Sequence, residues 1–196
     1  MIKYFFVLLL LLTANVSAND PIHSVHCPLG CPSNTENNDL VFYHIFTLSN
    51  NPETKLADWV AYEVNPRNFG ATPGRSWKAD AFLSPEKTLE PKDYNKAHSG
   101  IDVDRGHQAP LASLAGSRYW YEANYLSNIT PQKSSVNQGA WKKLEESIRN
   151  TSSYYSPLYV ITGPIYDPEY NHVLPKADEE HKIPVGYFKL IYKSNG

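Results

Sequence analysis

Only one segment of the chain has the periodicity of a long amphipathic helix, and it lies between segments that favour β-strands. Apolar residues recur on one face of a helix predicted from about Val136 to Asn150. Strand patterns, rich in β-branched and aromatic residues, occupy residues 57–64, 158–162 and 186–193. Because strands outnumber helices and one helix lies among them, the sequence predicts an α+β fold.

The remaining segments are less regular. Tyr125 to Ile129 is a short strand candidate, whereas residues 65–100 hold many prolines and glycines and are predicted to be mostly loop with at most one helical turn. No internal repeat or linker divides the chain. We therefore expect one domain over residues 19–196.

The N-terminal residues are not expected to belong to that domain. Lys3 precedes an unbroken apolar run from Tyr4 to Leu12, which a stretch of small residues follows. This order is typical of a secretory signal peptide over residues 1–18, and it predicts a secreted or periplasmic protein with no membrane association after cleavage. A retained anchor is the alternative, although the run has only about half the length of a membrane-spanning helix.

The two cysteines lie four residues apart. In an oxidising compartment, Cys27 and Cys31 are expected to form a short-loop disulfide. A zinc site with His23 and His26 is the alternative, but structural zinc sites favour two cysteine pairs or a cysteine pair with a downstream histidine pair.

The charge balance gives no general affinity for nucleic acid. The formal net charge is -2, so an anionic substrate must be bound by a local group of cations. Lys133, Lys142, Lys143 and Arg149 form one such basic strip in the sequence.

One stretch, Asp102 to Pro110, concentrates residue types that phosphodiester hydrolysis requires. His107 can accept a proton near neutral pH, and Arg105 can neutralise phosphate oxygens. Gly106 between them allows a close approach of the backbone. A histidine in this setting is also common as a surface or core residue, and that interpretation stays open.

A second stretch runs from Asn128 to Arg149. Asn137, Glu145 and Arg149 lie on one inclined row of the predicted helix, which would bring an amide oxygen, a carboxylate and a guanidinium together. A single amide oxygen leaves most of a cation's shell to water, which suits Mg²⁺. Two simpler interpretations remain, namely that Asn137 caps the helix and that Glu145 and Arg149 form a surface ion pair.

Three blocks of this chain closely resemble the DNA/RNA non-specific endonuclease family. They are residues 104–112, 124–132 and 137–141. The resemblance extends over nearly the whole domain, with Cys27 and Cys31 similar to a family disulfide and residues 75–78 similar to an arginine-bearing loop.

The resemblance implies a ββα-metal (His-Me finger) nuclease fold, with helices packed on a central antiparallel sheet. It implies that His107 is the general base and that Asn137 is the only protein ligand of a hydrated Mg²⁺, with Mn²⁺ as a substitute. Glu145 would orient the water shell of the metal. The other implied site residues, which contact or stabilise the scissile phosphate or support the site, are Arg75, Arg105, Arg149 and Asn128. DNA and RNA would both be substrates, cleaved to 5′-phosphorylated products.

Three questions stay open at this point. A non-catalytic nucleic-acid-binding remnant is the main alternative function, and a zinc-dependent hydrolase is a further one. Family members continue for several tens of residues beyond the position of Gly196, so the chain is expected to be C-terminally truncated. The oligomeric state is unknown, with a homodimer left open.

Overall fold

The computed structural model describes residues 21–194, and the signal peptide predicted for residues 1–18 lies outside them. The strands are β1 (Asp39–Phe42), β2 (Thr47–Asn51), β3 (Leu56–Val64), β4 (Val103–His107), β5 (Ile129–Lys133), β6 (Leu158–Ile165) and β7 (Gly186–Tyr192). The α-helices are α1 (Ala97–Ile101), α2 (Leu111–Leu114) and α3 (Lys142–Thr151). Within residues 21–194, no helix has both the length and the apolar character needed to cross a bilayer.

Two antiparallel sheets organise these elements. The larger has the order β1-β2-β3-β6-β7, and the smaller pairs β4 with β5. The register of the smaller sheet places Asp104 opposite Gln132 and His107 opposite Ile129. The chain runs from β5 through a π-helical turn (Val136–Trp141) into α3. This architecture confirms the predicted α+β class.

The central strand β3 is buried on both of its faces. Val60 and Tyr62 pack in the cluster that includes Ile148 of α3. Trp59 and Ala61 pack in a separate cluster on the opposite face. A strand covered on both sides can carry apolar residues at nearly every position, as residues 57–64 do. Strands predicted over 57–64, 158–162 and 186–193 are confirmed as β3, β6 and β7.

A disulfide fastens the N-terminal segment to the sheet. Cys27 and Cys31 form the predicted bridge, and the fully buried Cys27 packs in the Trp59 cluster. With the two sulfur atoms bonded to each other, they are not available as zinc ligands. His26 is also buried, and burial lowers its pKa to about 4.

Other parts of the sequence prediction are wrong in detail. A strand predicted over Tyr125 to Ile129 is instead a 3₁₀ turn (Leu126–Asn128), and β5 begins at Ile129. The loop predicted over residues 65–100 contains two 3₁₀ turns (Pro66–Asn68 and Pro85–Lys87), because proline fixes the first helical position of each. The hairpin of β1 and β2 was not predicted at all.

Candidate active site

A cleft of about 770 Å³ holds six of the seven site residues that the sequence predicts. They are Arg75, Arg105, His107, Asn137, Glu145 and Arg149. Residues of β4, the π-helical turn and α3 line the cleft together with the loop that carries Arg75. The seventh residue, Asn128, is fully buried outside the lining. Segments far apart in sequence therefore converge on one opening.

His107 lies at the end of β4 with one ring nitrogen engaged. Its Nε2 lies 3.2 Å from Asn124 Oδ1. An amide oxygen only accepts hydrogen bonds, so Nε2 carries the proton and Nδ1 is the free base. The pKa of His107 is lowered to about 4, mainly by burial and to a smaller extent by Arg75, while the bond to Asn124 opposes the shift. The imidazole is therefore neutral at pH 7 and able to accept a proton.

Asn128 holds the backbone next to both members of the His107–Asn124 pair. Its Oδ1 accepts from Ala109 N (2.8 Å), and its Nδ2 donates to Ala109 O (3.0 Å) and to Ala123 O (2.9 Å). Ala109 follows His107 by two residues, and Ala123 directly precedes Asn124. Asn128 thus supports the histidine without reaching the cleft.

Gly106 is required by the close packing of β4 on β5. A Cβ at this position would lie 2.5 Å from Gln132 Oε1 and 2.8 Å from Gln132 Cβ. The side chain of Gln132 is itself buried, so β4 would have to shift.

We expect Gly106→Ala to destabilise the protein by about 1–3 kcal/mol, a cost typical of overpacking. Urea unfolding followed by circular dichroism measures it. Gly74→Ala is the matched control, since nothing lies within 4 Å of a Cβ there. Equal stability of the two variants would contradict the packing argument.

Asp104 organises the polar side of the cleft. Its carboxylate accepts from Asn137 Nδ2 (3.0 Å), Gln138 Nε2 (2.8 Å), Ser134 Oγ (3.0 Å) and His98 Nδ1 (2.8 Å). Burial raises the pKa of Asp104, but the hydrogen bonds outweigh it and the net shift is downward. Because a carboxylate only accepts, Asn137 must present Nδ2 to it, which leaves Asn137 Oδ1 as a free oxygen donor.

The segment that carries Asn137 is not the start of a regular helix. The backbone at Gly139 (φ -102, ψ -107) is non-helical and interrupts the turn before α3 begins at Lys142. The predicted helix from Val136 is therefore wrong in its first turns, and Asn137 does not share a continuous helical row with Glu145. Both still line the cleft.

Arg105 is held by its neighbours from three sides. Its Nη2 donates to Pro91 O (2.9 Å), and its guanidinium lies 5.6 Å from the Trp77 ring centre and 5.2 Å from that of Tyr94. Burial lowers the pKa of Arg105, but a guanidinium stays charged at neutral pH. Packing between aromatic rings fixes this cation at the cleft wall.

The predicted basic strip is only partly in the cleft. Lys142 and Arg149 line it. Lys133, at the end of β5, lies outside the lining, and its Nζ donates to Ile101 O (3.1 Å). Lys143 is exposed and lies outside the lining. The local cations that face the opening are therefore mostly arginines.

Glu145 faces the cleft from α3 with a largely buried side chain. Burial raises its pKa, while Lys189 and Arg149 oppose that shift. Lys189 Nζ lies 3.9 Å from Glu145 Oε1. Arg149 Nη1 instead lies 3.5 Å from Ser113 Oγ. The two residues do not form the simple surface ion pair that helix spacing allowed.

Several residues of the site received no role from the sequence. Asp104 and Asn124 belong to the motif blocks, so their positions were visible but their partners were not. Trp77 lies in the arginine-bearing segment 75–78, but nothing in the sequence indicated that it would pack against Arg105. Lys189 lies on β7, 44 positions after Glu145 in the sequence, and the two come together only through the packing of α3 on the large sheet.

The fold itself is that of a known class of nucleases. A chain in the crystal structure of the EndoG/EndoGI complex superposes with a TM-score of 0.66 and 23% identity, covering 78% of this chain and 66% of that chain. Its likeness to endonuclease G identifies the fold as that of a ββα-metal nuclease.

Sequence similarity then identifies the family. Residues 23–196 match the family model described as DNA/RNA non-specific endonuclease. A nuclease of Serratia marcescens is 45% identical over 95% of this chain and 70% of its own length. A nuclease of Nostoc sp. is 33% identical over 74% of this chain and 54% of its own length, and bovine mitochondrial endonuclease G is 31% identical over 72% and 45%. The chain belongs to the DNA/RNA non-specific endonuclease family, whose members are nuclease hydrolases.

Proposed function

We propose that the protein is a secreted or periplasmic, Mg²⁺-dependent endonuclease that hydrolyses DNA and RNA to 5′-phosphorylated products. The observation that carries this proposal is the convergence of a neutral histidine, three arginines and a free amide oxygen on one cleft. Localisation rests on the apolar leader at residues 4–12 alone.

His107 is the general base of the proposed reaction. With Nε2 engaged by Asn124, Nδ1 accepts the proton of an attacking water. A positioned base of this kind contributes about 10²- to 10⁴-fold to the rate. Asn124 orients the ring, and Asn128 fixes the backbone around it.

The cleft fits a hydrated divalent cation. Asn137 Oδ1 is a hard oxygen donor left free by the bond from Nδ2 to Asp104. Glu145 faces the same cleft and can accept hydrogen bonds from coordinated water. One neutral ligand with a nearby carboxylate suits Mg²⁺, which keeps several waters. When bound, the ion would supply positive charge where the phosphate gains negative charge.

The arginines stabilise the negative charge that the phosphate gains during the reaction. Attack on a phosphodiester adds negative charge to an anionic group, so fixed cations lower the barrier. Arg75, Arg105 and Arg149 line the cleft and can contact phosphate oxygens. Since the phosphate group is common to DNA and RNA, contacts of this kind give little discrimination between bases or sugars.

Binding of substrate should weaken as salt rises. With about three phosphate contacts from the three arginines, a fourfold increase in salt weakens binding about 40-fold. The KM for duplex DNA at 50 and 200 mM NaCl measures this, with the rate at saturating DNA as the internal control. A KM that does not change with salt would contradict binding of the substrate phosphates by these arginines.

The deciding experiment uses supercoiled plasmid and RNA as parallel substrates. We expect the mature chain to cleave both with Mg²⁺ and neither with EDTA, and His107→Ala to cleave both at least about 100-fold more slowly. Product ends are identified by phosphatase treatment followed by end-labelling. Cleavage supported by Zn²⁺ but not Mg²⁺ would instead favour a zinc hydrolase. Binding of DNA by a folded chain without cleavage would favour a non-catalytic binding protein.

A further inference from the structure

Lys189 of β7 has a buried ammonium group with contacts on several elements. The side chain has no exposed area. Its Nζ donates to Tyr62 Oη (3.1 Å) and to Gln108 O (3.2 Å), and it lies 4.5 Å from the centre of the Trp141 ring. Glu145 Oε1 lies 3.9 Å away. One cation thus contacts the large sheet, the segment after β4 and helix α3.

A cation in this position is costly to the fold. Burial disfavours the charged amine and lowers the pKa of Lys189, and Glu145 is the group that opposes this shift. Replacing a buried ion pair as a whole by apolar side chains of similar volume is often neutral or stabilising. The pair of Lys189 and Glu145 therefore calls for an explanation other than stability.

The contacts of Lys189 join the two halves of the cleft. Gln108 directly follows His107, so the hydrogen bond from Nζ to Gln108 O fixes the backbone beside the base. The same Nζ attracts the carboxylate of Glu145 on α3. Thr162 of β6, paired with Lys189 in the sheet, offers a third oxygen at 3.5 Å.

We propose that Lys189 is a positioning residue that holds the Glu145 carboxylate in place relative to the His107 strand. This inference rests on the proposed function for its catalytic consequence, but not for its geometry. Lys189 does not line the cleft, so it acts on the reaction only through Glu145 and the backbone of Gln108.

The first test is made on the metal-free protein and needs no activity. Carboxyl ¹³C NMR follows the titration of Glu145 in the wild type and in Lys189→Met. The charged and titratable groups near Glu145 are Lys189 on β7, Arg149 and Glu146 on α3, and Tyr62 on β3. Removing the positive charge of Lys189 should move the midpoint of Glu145 to higher pH. An unchanged midpoint in a folded variant would overturn the proposal.

Two further variants make the result specific. Tyr62→Phe is the matched control, because it removes one acceptor of Nζ and leaves both charges, so the midpoint of Glu145 should stay near that of the wild type. If Lys189→Met does not fold, Glu145→Gln tests the pair from the other side. Loss of the carboxylate should lower the midpoint of Lys189, followed by its ¹³Cε signal, and an unchanged midpoint would overturn the proposal.

The second test measures the reaction. In Lys189→Met we expect kcat to fall by about 10- to 100-fold, as for other residues that orient groups around a metal, with KM for DNA nearly unchanged. Lys189→Arg should recover part of kcat by restoring the charge. A normal kcat in folded Lys189→Met would overturn the positioning role. A wild type without nuclease activity would refute the proposed function and leave the NMR result to decide the proposal.

Discussion

His107→Ala should lower the single-turnover rate of DNA and RNA cleavage by about 10²- to 10⁴-fold, the contribution of a positioned general base. Its Nδ1 is the free nitrogen of a ring whose Nε2 is held by Asn124. Within residues 21–194, His98 is the other histidine of the cleft lining, and its Nδ1 is bound to Asp104. Rapid-quench assays at saturating Mg²⁺ and substrate measure the chemical step.

The control for this variant is His172→Ala, because His172 is exposed and lies outside the cleft. The protonation state of the base is checked separately. The ring signals of His107 should titrate with a midpoint near pH 4, well below an ordinary histidine, because burial disfavours the imidazolium. Near wild-type rates in His107→Ala would remove this residue as the base.

The sequence predicted strands well where burial on both faces produces a run of apolar residues. β3 and β6 have this character. Most residues of β7 are half-buried or exposed, and that strand was predicted from its aromatic and other strand-favouring residues. Each of the three was found close to its predicted bounds. β5 was misplaced, because Pro131 within the strand weakens the pattern. A two-stranded sheet tolerates this proline, since the edge of β5 that does not face β4 needs no partner.

The residues of the candidate site were predicted through their motif blocks. The hydrogen bonds and contacts between those residues were not predicted. Asn137 and Glu145 were both expected in the cleft, but helical spacing gave the wrong reason, since Gly139 breaks the helix between them. The bond from Asn137 to Asp104 and the contact of Lys189 with Glu145 join residues at least 33 positions apart. Pairings at such distances depend on how the sheets and α3 pack, which no local pattern records.

Removal of divalent metal should abolish cleavage of both substrates, with a loss of about 10³-fold or more if the ion supplies several kcal/mol of charge stabilisation. Asn137 Oδ1 is left free in the cleft, since Nδ2 of the same amide is bound to Asp104. Asn137→Ala should therefore raise the Mg²⁺ concentration for half-maximal activity by at least about 10-fold.

Asn171→Ala serves as the control for that variant, because Asn171 is exposed and lies outside the cleft lining. Isothermal titration of Mg²⁺ and Mn²⁺ into the folded proteins gives the affinity without relying on turnover. Activity should return when either ion is added after EDTA. An Asn137→Ala protein that binds Mg²⁺ as tightly as the wild type would show that the ion is held elsewhere. In that case, the free amide oxygen beside Asp104 would need a different role, such as a hydrogen bond to the substrate.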